Sequence, residues 1–162
     1  MKKTTLLVLA AGILIGGFLY KRYRVAPDIP PTGITFTTPD GVKDLSDYQG
    51  ENLLVVFYAK WCGECMGEMR PLEAAKPILS PSNFRILALT DDTPEEIKLV
   101  RDHFGITFDT FKLENTLKDH GVYTIPTAYV LNERGEIVFE HVGVLDFEDQ
   151  KLLDEIKALV KG

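Results

Sequence analysis

The chain has 162 residues, 45% of them apolar and 26% charged, with two cysteines and a formal net charge of −6. That length suits one ordinary domain with a sizeable core, and the composition excludes a collagenous, low-complexity or disordered protein. Two cysteines are too few for a disulfide-scaffolded miniprotein, and the acidic balance argues against nucleic acid as a partner.

The average charge hides a split. Residues 1–24 carry five bases and no acid, which leaves 13 of the 18 bases against all 24 acids in the rest of the chain. Within this head, Thr4 to Tyr20 is an uncharged run of 17 residues bracketed by Lys2-Lys3 and by Lys21-Arg22-Tyr23-Arg24. Roughly 20 apolar residues cross a bilayer core, with about 17 as the lower limit. Residues 1–24 are therefore expected to form a single-pass anchor. The alternatives are a cleaved signal peptide, although a basic, aromatic cluster follows the run instead of an A-x-A site, or a buried helix of the domain. Bases flank both ends almost evenly, so charge alone does not orient the segment. Residues 25–33 contain three prolines and read as an extended tether of about 28 Å, at roughly 3.1 Å per residue, that does not pack on the core. Residues 34–162 are the expected soluble domain.

Ile34 to Thr37 alternates like a short strand, and Thr38 to Gly41 reads as a turn. Leu53 to Ala59 is a continuous apolar run rich in β-branched and aromatic residues, the mark of a strand buried on both faces. A helix is expected from Cys62 to about Leu79, kinked at Pro71, whose ring removes a backbone donor. Arg85 to Thr90 is another strand. Thr93, Pro94 and Glu96 make a capping box with proline at the first helical position, and Gly105 ends the helix they start. Leu113 to His120 reads as a shorter helix closed by Gly121. Thr127 to Leu131 and Glu136 to Val142 alternate around Asn132–Gly135 as a hairpin. Asp146 is the expected cap of a last amphipathic helix bearing Leu152, Leu153, Ile156, Leu159 and Val160. Strands alternating with helices imply parallel crossover units, and the closing hairpin adds antiparallel strands.

The chemistry lies in Trp61-Cys62-Gly63-Glu64-Cys65. A C-x-x-C pair that follows a buried strand and opens a helix puts its first sulfur at the helix N-terminus, near unpaired N–H groups and the positive end of the dipole. Such surroundings favour thiolate and make Cys62 the nucleophile. Cys65, one turn on, can reach it as the resolving thiol of a dithiol–disulfide exchange. Three other uses stay open for the pair: a structural zinc site, which needs about four ligands, two inert buried cysteines, or a static disulfide. His103, His120 and His141 show no ligand spacing and read as surface residues.

Phe57-Tyr-Ala-Lys-Trp-Cys-Gly-Glu-Cys65 followed by Thr124-Ile-Pro-Thr127 resembles the thioredoxin superfamily, and more closely its membrane-anchored TlpA/ResA group of thiol-disulfide oxidoreductases. The resemblance runs over about residues 34–162, with Asp40-Gly41 and Leu45 to Gly50 as the lead-in and Arg85 to Leu113 in the place of a central insertion. It implies an α/β thioredoxin fold, a central mixed β-sheet flanked by helices with a βα-type insertion, preceded by one transmembrane helix. It further implies Cys62 as nucleophile, Cys65 as resolver, Pro126 as a cis-proline facing them, and Ile125 as the strand edge that meets the partner's backbone. Trp61 matches the aromatic before the motif, expected to shield the pair. Glu68 matches an acid able to exchange protons with the thiols. The implied partners are oxidised protein thiols outside the cytoplasm, apocytochrome c among them, and a membrane electron donor, with no metal and no cofactor. The implied place is the inner membrane of a bacterium, with the domain facing the extracytoplasmic or periplasmic side.

Four positions depart from the superfamily pattern. Val56 stands where thioredoxin has a buried acid, Glu64 replaces the usual proline of the motif, Pro71 falls one residue late in the helix, and Gly63 loosens the loop. Two other functions compete with this reading: a peroxide-reducing thiol protein, although Lys60-Trp61 does not resemble its Thr-x-x motif, and a Sco-like copper metallochaperone. The second would need His141 and a cysteine spacing one residue longer.

Overall fold

The computed structural model describes residues 2–161, with side chains from residue 8 onward except that of residue 24. A helix, α1 (Lys2–Arg24), is followed by a seven-stranded sheet: β1 (Phe36–Thr38), β2 (Gly41–Lys43), β3 (Asn52–Phe57), β4 (Phe84–Thr90), β5 (Asp109–Leu113), β6 (Thr127–Leu131) and β7 (Ile137–Val142). Three further helices, α2 (Gly63–Leu79), α3 (Pro94–Phe104) and α4 (Gln150–Leu159), complete it.

The strand order is β2-β1-β5-β4-β3-β6-β7. β3, β4 and β5 run parallel, joined by crossovers through α2 and α3, while β1, β6 and β7 pair antiparallel. Every residue of β3 is buried, as its apolar run requires. Its side chains alternate between two cores: Leu54 and Val56 pack with α2 and α4 on one face, and Leu53, Val55 and Phe57 pack on the other. This is a thioredoxin fold.

The second core is closed by the segment between α1 and β1. Ala26 and Ile29 are buried in it beside Ile34, Phe36 and Tyr48. The tether expected to stand clear of the domain is thus laid along it, because Ala26 and Ile29, on either side of Pro27, find a sheet face that none of the described α-helices covers. Among the described residues no helix is long and apolar enough to cross a membrane. The uncharged run of the expected anchor, residues 1–24, begins at Thr4, and the side chains of residues 2–7 lie outside the described ones.

Two further expectations are corrected. Where a helix over Leu113–His120 was expected, Asp109–Leu113 is a strand that pairs with both β1 and β4, and turns follow it. Its Leu113 and Leu117 share a helical spacing but are both buried in the second core from strand and turn. The last helix is capped by Asp149, whose side chain accepts the N–H of Lys151, while Asp146 caps a preceding turn by accepting from Glu148. Neither Pro71 nor Pro77 ends α2. The capping box on α3 forms as expected, with Gly105 in the left-handed conformation at its end.

Candidate active site

β3 delivers the chain into the core, and residues 58–62 bring it out again at the head of α2. Tyr58 and Ala59 are fully buried, whereas Trp61 is 77% exposed. The loop is pinned by two hydrogen bonds: the Lys60 N–H donates to Asp92 Oδ2 at 2.7 Å, and the Cys62 N–H to the Ala59 carbonyl at 3.0 Å.

Cys62 occupies the N-cap of α2, and its Sγ accepts the N–H of Cys65 at 3.1 Å. The two residues are joined as a disulfide with 5.3 Å between their Cα atoms. Cys62 retains 8% exposure and Cys65 none, so only one sulfur can be touched from outside. Once reduced, a thiolate on Cys62 would keep the same N–H partner and the helix-end field, both of which favour the charged form.

Facing the sulfurs is the segment between β5 and β6. The Ile125–Pro126 bond is cis, and the Ile125 carbonyl oxygen lies 3.8 Å from Cys62 Sγ. Pro126 is buried, and its carbonyl accepts the N–H of Gly143 at 2.9 Å. The sequence motif and the cysteine pair, more than 60 residues apart in the chain, therefore meet at one point.

Glu68 lies one turn beyond Cys65 on the inner face of α2 and is 4% exposed. Burial drives its carboxyl up to about 7, the exposed Glu64 one turn ahead pushes it the same way, and the Leu145 N–H bonded to it pulls it back. A carboxyl in that range gains and loses a proton near neutrality, the property a proton carrier requires. Val56, at the site of thioredoxin's buried acid, is packed in the apolar core.

Trp61, the aromatic before the motif, is largely exposed. Together with Leu117, Lys118, Val122, Tyr123 and Ile125 it lines an open cavity of about 300 Å³, and two of these residues adjoin Cys62: Trp61 precedes it in the chain and the Ile125 carbonyl lies 3.8 Å from its Sγ. Tyr123 and Leu117 were not singled out from sequence, because an aromatic beside a Thr-Ile-Pro motif and a leucine in a turn carry no distinguishing signal. His103 is exposed and packs edge-on against Phe104, whereas His120 and His141, the latter stacked on Phe139, are half-buried, contrary to their expected surface positions. Among the described residues no group of three or more His, Cys, Asp or Glu side chains is placed to hold a metal ion.

Comparison with known proteins agrees with this geometry. The sequence model of the AhpC/TSA family matches residues 26–140. Thiol-disulfide oxidoreductase ResA of Geobacillus kaustophilus is 27% identical over 165 residues, covering 97% of this chain and 95% of the relative. Among solved structures, the thioredoxin domain of a thiol-disulfide oxidoreductase from Bacteroides vulgatus superposes with a TM-score of 0.68 at 18% identity, over 83% of this chain and 99% of that one. StoA from Bacillus subtilis gives 0.61 at 19% identity, over 77% and 99%.

Proposed function

The chain belongs to the AhpC/TSA family and is a thiol-disulfide oxidoreductase; within that class we propose that it is a reductant of protein disulfides outside the cytoplasm, working through Cys62 and Cys65. The observation that carries exchange at this pair is its asymmetry: a partly exposed residue at a helix N-terminus whose sulfur accepts the N–H of Cys65, and a fully enclosed cysteine behind it.

In the reaction, the reduced enzyme presents Cys62 as thiolate. It attacks one sulfur of the substrate disulfide, a Cys62–substrate bond forms as the substrate's own S–S bond breaks, and the leaving thiolate takes a proton from solvent. Cys65 then loses its proton to the Glu68 carboxylate and attacks Cys62 Sγ. The mixed disulfide breaks, the second substrate thiolate departs, and the enzyme is left as the Cys62–Cys65 disulfide, having given up two electrons. A dithiol donor in the membrane returns them by the reverse exchange. Ile125 presents its backbone to the substrate chain, Pro126 keeps that edge from closing over the sulfurs, and Trp61 supplies a flat apolar contact.

The basic, apolar head supports a membrane location: residues 1–24 anchor the chain, residues 25–33 connect, and the domain from 34 to 162 faces the periplasmic or other extracytoplasmic side of a bacterial inner membrane. Apocytochrome c fits the substrate class implied by the resemblance to the TlpA/ResA group.

The test is insulin-disulfide reduction with dithiothreitol as donor. Wild type is expected to accelerate it and Cys62→Ser to abolish the effect; full activity in Cys62→Ser would overturn the reading. The pair's potential in glutathione buffer gives the direction, with about −270 mV marking a reductant and about −120 mV an oxidant.

A further inference from the structure

The connector after α1 is fastened to the loop that faces the disulfide. The Tyr23 carbonyl accepts the Thr124 hydroxyl at 2.9 Å, and the Pro27 carbonyl accepts the hydroxyl of buried Tyr129 at 2.8 Å. Pro27 lies so close to Gly121 that a Cβ there would stand 3.2 Å from it. Above these ties, the Arg22 guanidinium sits 4.0 Å from the centre of the Tyr123 ring, and Tyr23 meets the same ring edge to face at 6.3 Å. Tyr123 also lines the cavity that Trp61 and Ile125, the neighbours of Cys62, share. One ring is therefore shared between the connector and the wall of the site.

Tyr123 is 39% exposed, and a half-exposed aromatic held from one side samples several rotamers. A cation over its face and a second ring at its edge favour one of them. We propose that Arg22 and Tyr23 are positioning residues for the exchange reaction, fixing Tyr123 as one wall of the cleft in which a polypeptide lies when its disulfide reaches Cys62. The proposal rests on the reading of the chain as a protein-disulfide reductant. A small disulfide needs only the two thiols and their proton acceptor, whereas a polypeptide must also lie along the cleft, its apolar side chains against Tyr123, Trp61 and Leu117. The effect of Arg22 is therefore specific to large substrates.

The test uses the full chain in detergent, pre-reduced, as wild type, Arg22→Ala, Tyr123→Leu and the double variant. Second-order rates are measured with insulin and with the small neutral bis(2-hydroxyethyl) disulfide. Arg22→Ala is expected to slow insulin reduction about fivefold, the size of an exposed cation–π contact, while the small disulfide reacts at the wild-type rate. The double variant is expected to be no slower than Tyr123→Leu, since Arg22 acts through that ring. Equal loss with both disulfides, no loss with insulin, or additive losses in the double variant would each overturn the proposal. A wild-type chain that reduces neither disulfide would instead overturn the functional reading beneath it.

Discussion

The Glu68 carboxylate accepts the backbone N–H of Leu145 at 2.5 Å, tying the inner face of α2 to the segment that leads into α4. The group beside the redox pair is thus also a structural joint, and its titration is linked to folding. Its pKa is raised from 4.5 to about 7 on folding, chiefly by burial. Protonated Glu68 therefore favours the fold fully below pH 4.5, and this stabilisation is lost as pH rises through about 7. Glu68→Gln keeps an oxygen for Leu145 but cannot ionise. It is expected to flatten the stability profile between those limits and to gain on the order of 3 kcal/mol over wild type at pH 8. Urea unfolding of the oxidised protein at pH 4, 6 and 8 measures this; parallel profiles for the two proteins would contradict it.

Because Cys65 has no exposure and Cys62 lies at the rim, the two thiols are expected to behave differently once reduced. Cys65→Ser is expected to accumulate a covalent adduct with insulin chains, visible by non-reducing electrophoresis and mass spectrometry, since the second attack has no nucleophile. Iodoacetamide at neutral pH is expected to label Cys62 of the reduced wild type first. Labelling that begins at Cys65 would reverse the assigned roles.

The exposure of Trp61 separates folding from function. A side chain 77% exposed contributes little to the core, so Trp61→Ala is expected to change stability by no more than about 0.5 kcal/mol. The same change is expected to slow insulin reduction several-fold by removing one wall of the cleft. Thermal unfolding and the insulin assay on the same preparation decide it, and unchanged insulin kinetics would remove Trp61 from the site.

Thr93 accepts the N–H of Glu96 at 3.3 Å, and Glu96 returns a bond to the Thr93 N–H at 3.1 Å. Glu96 also pairs with Lys60, the residue before Trp61, at 3.3 Å. Thr93→Ala is expected to cost about 1 kcal/mol, the usual loss for an N-cap, read from the urea midpoint at constant slope. A change within error would mean the cap is replaced by water.

The parts of this fold that were legible from sequence are those with redundant local signals. β3 announces itself by an unbroken apolar run, α3 by a complete capping box, and the β6–β7 hairpin by alternation around an Asn–Gly-bounded turn. Cys62, Cys65 and the Ile125–Pro126 edge could be brought together only through resemblance, because their meeting depends on the crossover of the sheet and no local pattern encodes it. The failures share a cause. Asp109–Leu113 is a strand because β1 and β4 flank it, and its five residues carry no clean alternation of their own. Prolines in residues 25–33 signalled an extended path correctly but not where that path lies, which is set by an uncovered sheet face. Asp146 and Asp149 are equally good caps in composition, and the geometry of the preceding turn chooses between them.

Enclosure of the second sulfur also governs how the enzyme wears. A hydroperoxide that strikes the reduced protein can oxidise only the outer thiol, leaving a sulfenic acid there. The thiol behind condenses with it, releasing water and restoring the ordinary resting disulfide before a further, irreversible oxidation can occur. On the roles proposed for the pair, the arrangement that turns over substrates thereby also shields Cys62 from permanent loss.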